Sequence, residues 1–104
     1  MPEHVLTEVS AVVAAERESA LIAGFAALLD QPLPDGLLRT ELLRGSDAED
    51  GRTWRIQTLW RDRQALDAMR ASAEPPAAPA LFRSVGAEPS LTVLTVAKGR
   101  RFGE

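Results

Sequence analysis

The chain has no cysteine, no tyrosine and no asparagine among its 104 residues, and one histidine. Without cysteine there is no disulfide, no thiolate nucleophile and no Cys-ligated metal. One histidine, His4, cannot form a His cluster within a chain, and no Ser-His-Asp arrangement is visible around it. Aromatic residues are scarce at 5%: two tryptophans and three phenylalanines. Only one of the twelve basic residues is a lysine, and the net charge is -3. No basic face or stripe of the kind that grips nucleic acid is present, and the short tail 98–101 does not supply one. No apolar run approaches the roughly 18–20 residues of a membrane span, and the first fifteen residues lack the basic-then-apolar order of a signal peptide. These absences predict a cytoplasmic protein with no nucleic-acid partner, no membrane contact and no metal.

What is present suffices for one core. Hydrophobic residues make up 45% and charged residues 26%, and the length predicts a single domain over residues 1–104 with a polar tail from Lys98. His4–Ala14 reads as a strand, with Val5, Val9, Ala11 and Val13 on one face and Leu6, Ser10, Val12 and Ala14 on the other. Glu16–Asp30 reads as a helix with Leu21, Ile22, Phe25, Leu28 and Leu29 in one stripe. Pro32 and Pro34 end it, and Pro34-Asp35-Gly36 signals a turn. Leu37–Gly45 is a second strand, with Leu38 and Leu42 opposed to Leu37 and Leu43. Ser46–Arg52 is polar and reads as a hairpin loop, and Thr53–Trp60 as the third strand.

Both tryptophans lie in that third strand. Trp54, Ile56, Thr58 and Trp60 share one face; Thr53, Arg55, Gln57 and Leu59 share the other. Asp62 is a good N-cap for a helix over Arg63–Ser72 with Ala65, Leu66 and Met69 inward. Pro75, Pro76 and Pro79 mark Ala73–Ala80 as a loop, Leu81–Val85 as a short helical turn, and Ser90–Ala97 as a fourth strand. The order β-α-β-β-α-β predicts an α+β, ferredoxin-like fold with a four-stranded antiparallel sheet and helices on one face. Apolar residues on both faces of several strands predict that a second copy covers the other face.

The motifs Pro34-Asp35-Gly36-Leu37-Leu38, Ile56-Gln57-Thr58-Leu59-Trp60-Arg61-Asp62, Ala65-Leu66-Asp67-Ala68-Met69-Arg70 and Leu81-Phe82 stand in this order. In order and spacing they resemble the antibiotic biosynthesis monooxygenase family. The resemblance implies a homodimeric α/β barrel of ferredoxin-like chains. It implies cofactor-independent oxidation of an electron-rich, quinol- or anthrone-like aromatic by O₂, with no cofactor bound. It also implies a pocket between sheet and helices, with the tryptophan that ends the third strand on its wall, a position matched by Trp60. The family's usual asparagine and histidine have no counterpart: Ile56 stands four residues before Trp60, and Met69 stands where a helix histidine is common.

The candidate catalytic residues are therefore Trp60, Arg55 and Arg70, and the candidate pocket lining is Phe25, Ile56, Trp60, Met69 and Phe82. Each has a plainer reading. Trp60 and Trp54 are equally large packing rings. Met69, Phe82 and Phe25 fit a core, and Arg55 fits a salt bridge to an acidic residue across a dimer. Gln57, facing away from Trp60, suits a dimer interface, and Arg70 and Arg83 suit solvated surface. The alternative function is a non-catalytic dimeric barrel that binds a small apolar molecule or serves a structural role.

Overall fold

The computed structural model describes residues 3–72 and 76–100. It contains β1 (Val5–Val13), a 3-10 turn (Ala15–Arg17), α1 (Glu18–Leu29), β2 (Leu37–Ala48), β3 (Gly51–Trp60), α2 (Arg63–Arg70), α3 (Ala77–Ser84) and β4 (Ser90–Thr95). The sheet order is β2-β3-β1-β4 and every neighbouring pair is antiparallel. This is the ferredoxin-like α+β fold. Part of the expected 73–80 loop and the end of the tail, 73–75 and 101–104, lie outside the described residues.

The inner pair decides the layering. β1 and β3 pair without interruption from Val5↔Trp60 to Val13↔Arg52. Period-two alternation then puts Val5, Thr7, Val9, Ala11 and Val13 with Trp54, Ile56, Thr58 and Trp60 on one face, all buried. The helices cover that face. Leu21 and Phe25 of α1 and Phe82 of α3 pack with Val9, Val13, Trp54 and Ile56, while Leu66 and Ala65 of α2 pack with Val5 and Trp60.

Four local expectations are corrected. In α1 the buried stripe is Leu21 and Phe25 with half-buried Leu28; Ile22 and Leu29 are exposed, because they flank the line that meets the sheet. In β2 a register shift at Leu38 breaks the alternation, so Leu37 and Leu42 both face the helices, opposite Trp60 and Ile56, and Leu38 is exposed. The polar 46–52 segment is mostly strand. A second irregularity between Arg44 and Asp47 sets Gly45 and Ser46 against Thr53 alone and so absorbs one extra residue, pairing resumes at Asp47↔Arg52, and only Glu49-Asp50 remain as the turn. Ala77–Ala80 belong to α3 rather than to a loop. Pro79 is its third residue, where a backbone N–H has no intrahelical partner to lose.

Two junctions hold α2 against the end of β3. The Asp62 carboxylate accepts from Ala65 N–H at 2.8 Å, the capping bond read from the sequence. The Pro34–Leu37 turn closes with Leu37 N–H to Pro34 O at 3.2 Å, and Gly36 O accepts from Arg61 N–H at 2.7 Å. Gly36 has φ 85°, and a Cβ there would collide with that of Ala65, so only glycine lets this turn lie on α2. Replacing the cap, Asp62→Ala, is expected to lower the unfolding free energy by about 1 kcal/mol. Emptying the fully buried Leu66 site, Leu66→Ala, is expected to cost about 2–5 kcal/mol. Urea denaturation measures both; an Asp62→Ala protein as stable as the parent would remove the cap from this account.

Candidate functional site

The helices do not fill the space above the sheet. Between α1, α2, α3 and the helix-side face of the strands lies a cavity of about 260 Å³. Its walls are mainly apolar, from Phe25, Leu28, Ile56, Trp60, Leu66 and Met69, and Leu33 and Leu91 lie at exposed positions on its rim. Arg70 is the single charged residue among the described residues of the lining.

The floor carries hydroxyls. Thr40 on β2, Thr58 on β3 and Thr7 on β1 are register partners, Thr40↔Thr58 and Thr7↔Thr58, so they form one row across three strands. All three line the cavity. Thr40 Oγ1 and Thr58 Oγ1 are 2.9 Å apart and share one hydrogen bond. The Trp60 indole Nε1–H donates to Thr7 Oγ1 at 3.1 Å, and the Thr7 hydroxyl reaches Thr58 O at 3.5 Å. Trp60, buried at 3% exposure, is thereby both a wall and part of the polar floor. The threonines were missing from the sequence reading. The available signal was period two: Thr58 stands between Ile56 and Trp60 on the face assigned to the pocket.

The structure brings Phe25, Ile56, Trp60, Met69 and Arg70 around this one cavity. It does not bring Phe82 or Arg55. Phe82 is fully buried in the packing between α3, α1 and β1, because α3 begins early enough to carry it into the core. Arg55 points from the opposite sheet face, where its Nε lies 3.8 Å from Glu8 Oε2, within the chain rather than across a dimer. Gln57 Nε2 donates to the same carboxylate at 2.9 Å. Trp54 is tied off at the far end of β3: its Nε1–H donates to Glu18 Oε2 at 2.7 Å, and the Arg44 guanidinium stands 5.2 Å from its ring centre. His4 Nδ1–H donates to Arg61 O at 2.9 Å, outside the cavity.

Among the described residues no cluster of His, Cys, Asp or Glu could hold a metal ion. A haem iron takes an axial His, Cys, Tyr or Met. Of these only Met69 lines the cavity, and it is a core thioether packed against Trp60, Leu66 and Val5, so this donor set does not suit haem. No helix among the described residues is long and apolar enough to cross a membrane.

The antibiotic biosynthesis monooxygenase family aligns with residues 4–78, most of the chain. The chain belongs to that family. No curated protein matches it at a significant level. Among solved structures, the fold is similar to that of SnoaB, a cofactor-independent oxygenase from Streptomyces nogalater, in a variant with one asparagine changed to alanine. That match has 26% identity and a TM-score of 0.58, and covers 92% of this chain and 95% of that one. A haem-degrading protein from Mycobacterium tuberculosis is 24% identical with a TM-score of 0.65, covering 98% and 100%. A dimeric ferredoxin-like protein from an uncultured marine organism is 14% identical with a TM-score of 0.73, covering 96% and 100%.

The two residues that left the site carry opposite expectations. Phe82→Ala should cost about 3–5 kcal/mol of stability, as a core deletion does. Arg55→Ala should cost less than about 1 kcal/mol, because its ion pair is half-exposed. Urea unfolding of the two variants checks this, and similar losses would contradict the placement.

Proposed function

We propose that the protein is a cofactor-independent monooxygenase that oxidises a quinol- or anthrone-like aromatic with O₂, working in the cytoplasm as a homodimer. The observation that carries the reading is the cavity: apolar walls, an indole at one side, a hydroxyl floor and a single guanidinium, Arg70. Family membership and the 26% identity to a cofactor-independent oxygenase support it. The size, about 260 Å³, lies just below the roughly 300–1,000 Å³ of drug-sized sites and so restricts the ligand to a small planar aromatic.

The reaction asks little of a protein. An anthrone methylene loses a proton to give a delocalised anion. The anion passes one electron to O₂, the two radicals combine into a C–O bond, and the protonated peroxide loses water to leave a ketone. One O₂ is consumed; one oxygen atom ends in the product and one in water. The protein's share is to hold the ring against Trp60, keep bulk water away from the anion, and stabilise its oxygen with Arg70 and the floor hydroxyls. Among the described residues no carboxylate or histidine lines the cavity, and on this reading water at the mouth takes the departing proton.

That same lack of a base favours the second reading, a barrel that binds the aromatic without converting it. An oxygen electrode with a panel of anthrones and quinols separates the two. Turnover predicts O₂ uptake equal to product formed, with Arg70→Ala slower by about 10²-fold and Trp60→Ala slower still. Saturable quenching of tryptophan emission with no uptake above the Trp60→Ala background would leave only binding.

The dimer is supported by the uncovered sheet face. Leu94, Leu6 and Leu59 form a register row across β4, β1 and β3 there; Leu59 is already buried within the chain, whereas Val12 and Leu94 are 44% and 48% exposed. The Glu8–Arg55–Gln57 group on the same face is already paired internally, so covering it would bury a charge pair rather than a lone charge. Light scattering is expected to give twice the chain mass; a monomer with intact fold would overturn the dimer.

A further inference from the structure

We propose that the Thr7 hydroxyl is the anchor of the cavity: it donates a hydrogen bond to the oxygen of an aryl ketone or aryl oxide ligand and so selects oxygenated aromatics over hydrocarbons of the same shape. This rests on the cavity being a ligand site, as proposed above, and adds the group that reads the ligand's oxygen.

The argument is an account of hydroxyl protons. A threonine hydroxyl has one proton to give and two lone pairs. Thr40 and Thr58 share one hydrogen bond at 2.9 Å, which uses one of their two protons. Thr7 is placed differently. Its oxygen receives the Trp60 indole proton at 3.1 Å. Its own proton has Thr58 O as partner, at 3.5 Å, well beyond the 2.5–3.0 Å of a good O–H···O bond. A hydroxyl that accepts one hydrogen bond is polarised into a better donor. Thr7 is thus a buried, strengthened donor with a weak partner, on a cavity floor beside an aromatic wall. A carbonyl or phenolate oxygen in the cavity would take that proton at a better distance. The donor supplies the polar contact absent at Ile56, where the side chain is a hydrocarbon.

A matched pair of probes tests this, α-tetralone and tetralin, with the two indole N–H resonances followed by NMR as each is titrated. The parent should bind both and shift the Trp60 N–H with the ketone. Thr7→Val should weaken the ketone about tenfold, the scale of one net hydrogen bond, and change the hydrocarbon by less than about twofold. Thr7→Ser should keep the ketone's affinity. Trp60→Phe, which removes the feeding N–H and leaves the hydroxyl, should weaken the ketone alone by a smaller factor, and it decides the matter if Thr7→Val does not fold. Equal losses for both probes, or no loss, would overturn the anchor while leaving the cavity a binding site. Failure of the parent to bind either probe would overturn the ligand site and the anchor together.

Discussion

The register of β1 against β3 is the constraint on which the rest depends. Because side chains alternate with period two, a slip of one residue would turn Trp54, Ile56, Thr58 and Trp60 to the far face and bring Thr53, Arg55, Gln57 and Leu59 under the helices. The hydrophobic contrast between those sets fixes the register. Arg55 and Gln57 bond to Glu8 on the neighbouring strand, so the far face has its own polar lock on the same alignment. The cavity is a consequence. Thr7 meets Thr58 because Val5 meets Trp60, and Trp60 reaches Thr7 diagonally because both point to the helices.

How far this could be read in the sequence depended on whether a rule was local. Strand alternation in β3, the Asp62 cap and the β-α-β-β-α-β order follow from neighbouring residues, and all are present. The failures have tertiary causes. Two irregularities in β2 shift its alternation at Leu38 and extend pairing through polar residues that would otherwise read as loop. Proline at the third helical position hides α3, since composition registers the proline and not its place in the first turn. That omission also misplaced Phe82. Arg55 was correctly set on the face away from Trp60 by period two, yet its carboxylate partner on β1 is fixed only by the register.

The chain also shows two uses of an indole within one strand. Trp54 and Trp60 are both nearly inaccessible, at 2% and 3%, and both donate through Nε1. Trp54 gives its proton to a carboxylate on α1 and lies beneath a guanidinium, which ties the start of the helix to the sheet. Trp60 gives its proton to a hydroxyl whose own proton is poorly used. The first arrangement ends in charged surface groups and is closed. The second ends in a cavity, so the same bond that satisfies the ring also prepares a donor for something else.

The composition of the lining then restricts which substrates such a site can serve. Among the described residues no carboxylate or histidine faces the cavity, so on the proposed reading these residues serve to stabilise the anion once formed rather than to take a proton from a weakly acidic carbon. The acidity has to reside in the substrate, as it does in a phenol or an anthrone whose carbanion is spread over the rings. A guanidinium and a hydroxyl both favour the anion over its conjugate acid, and burial raises the worth of the Thr7 hydroxyl, while Arg70 acts from an exposed position. Ionisation and electron transfer to O₂ therefore depend on one feature, the substrate's delocalised anion. A site that stabilises it too strongly would also lower its reducing power. Hydroxyl donors are weaker than a second cation, and on the proposed reading a floor of threonines beside an arginine would hold the anion while leaving it able to react.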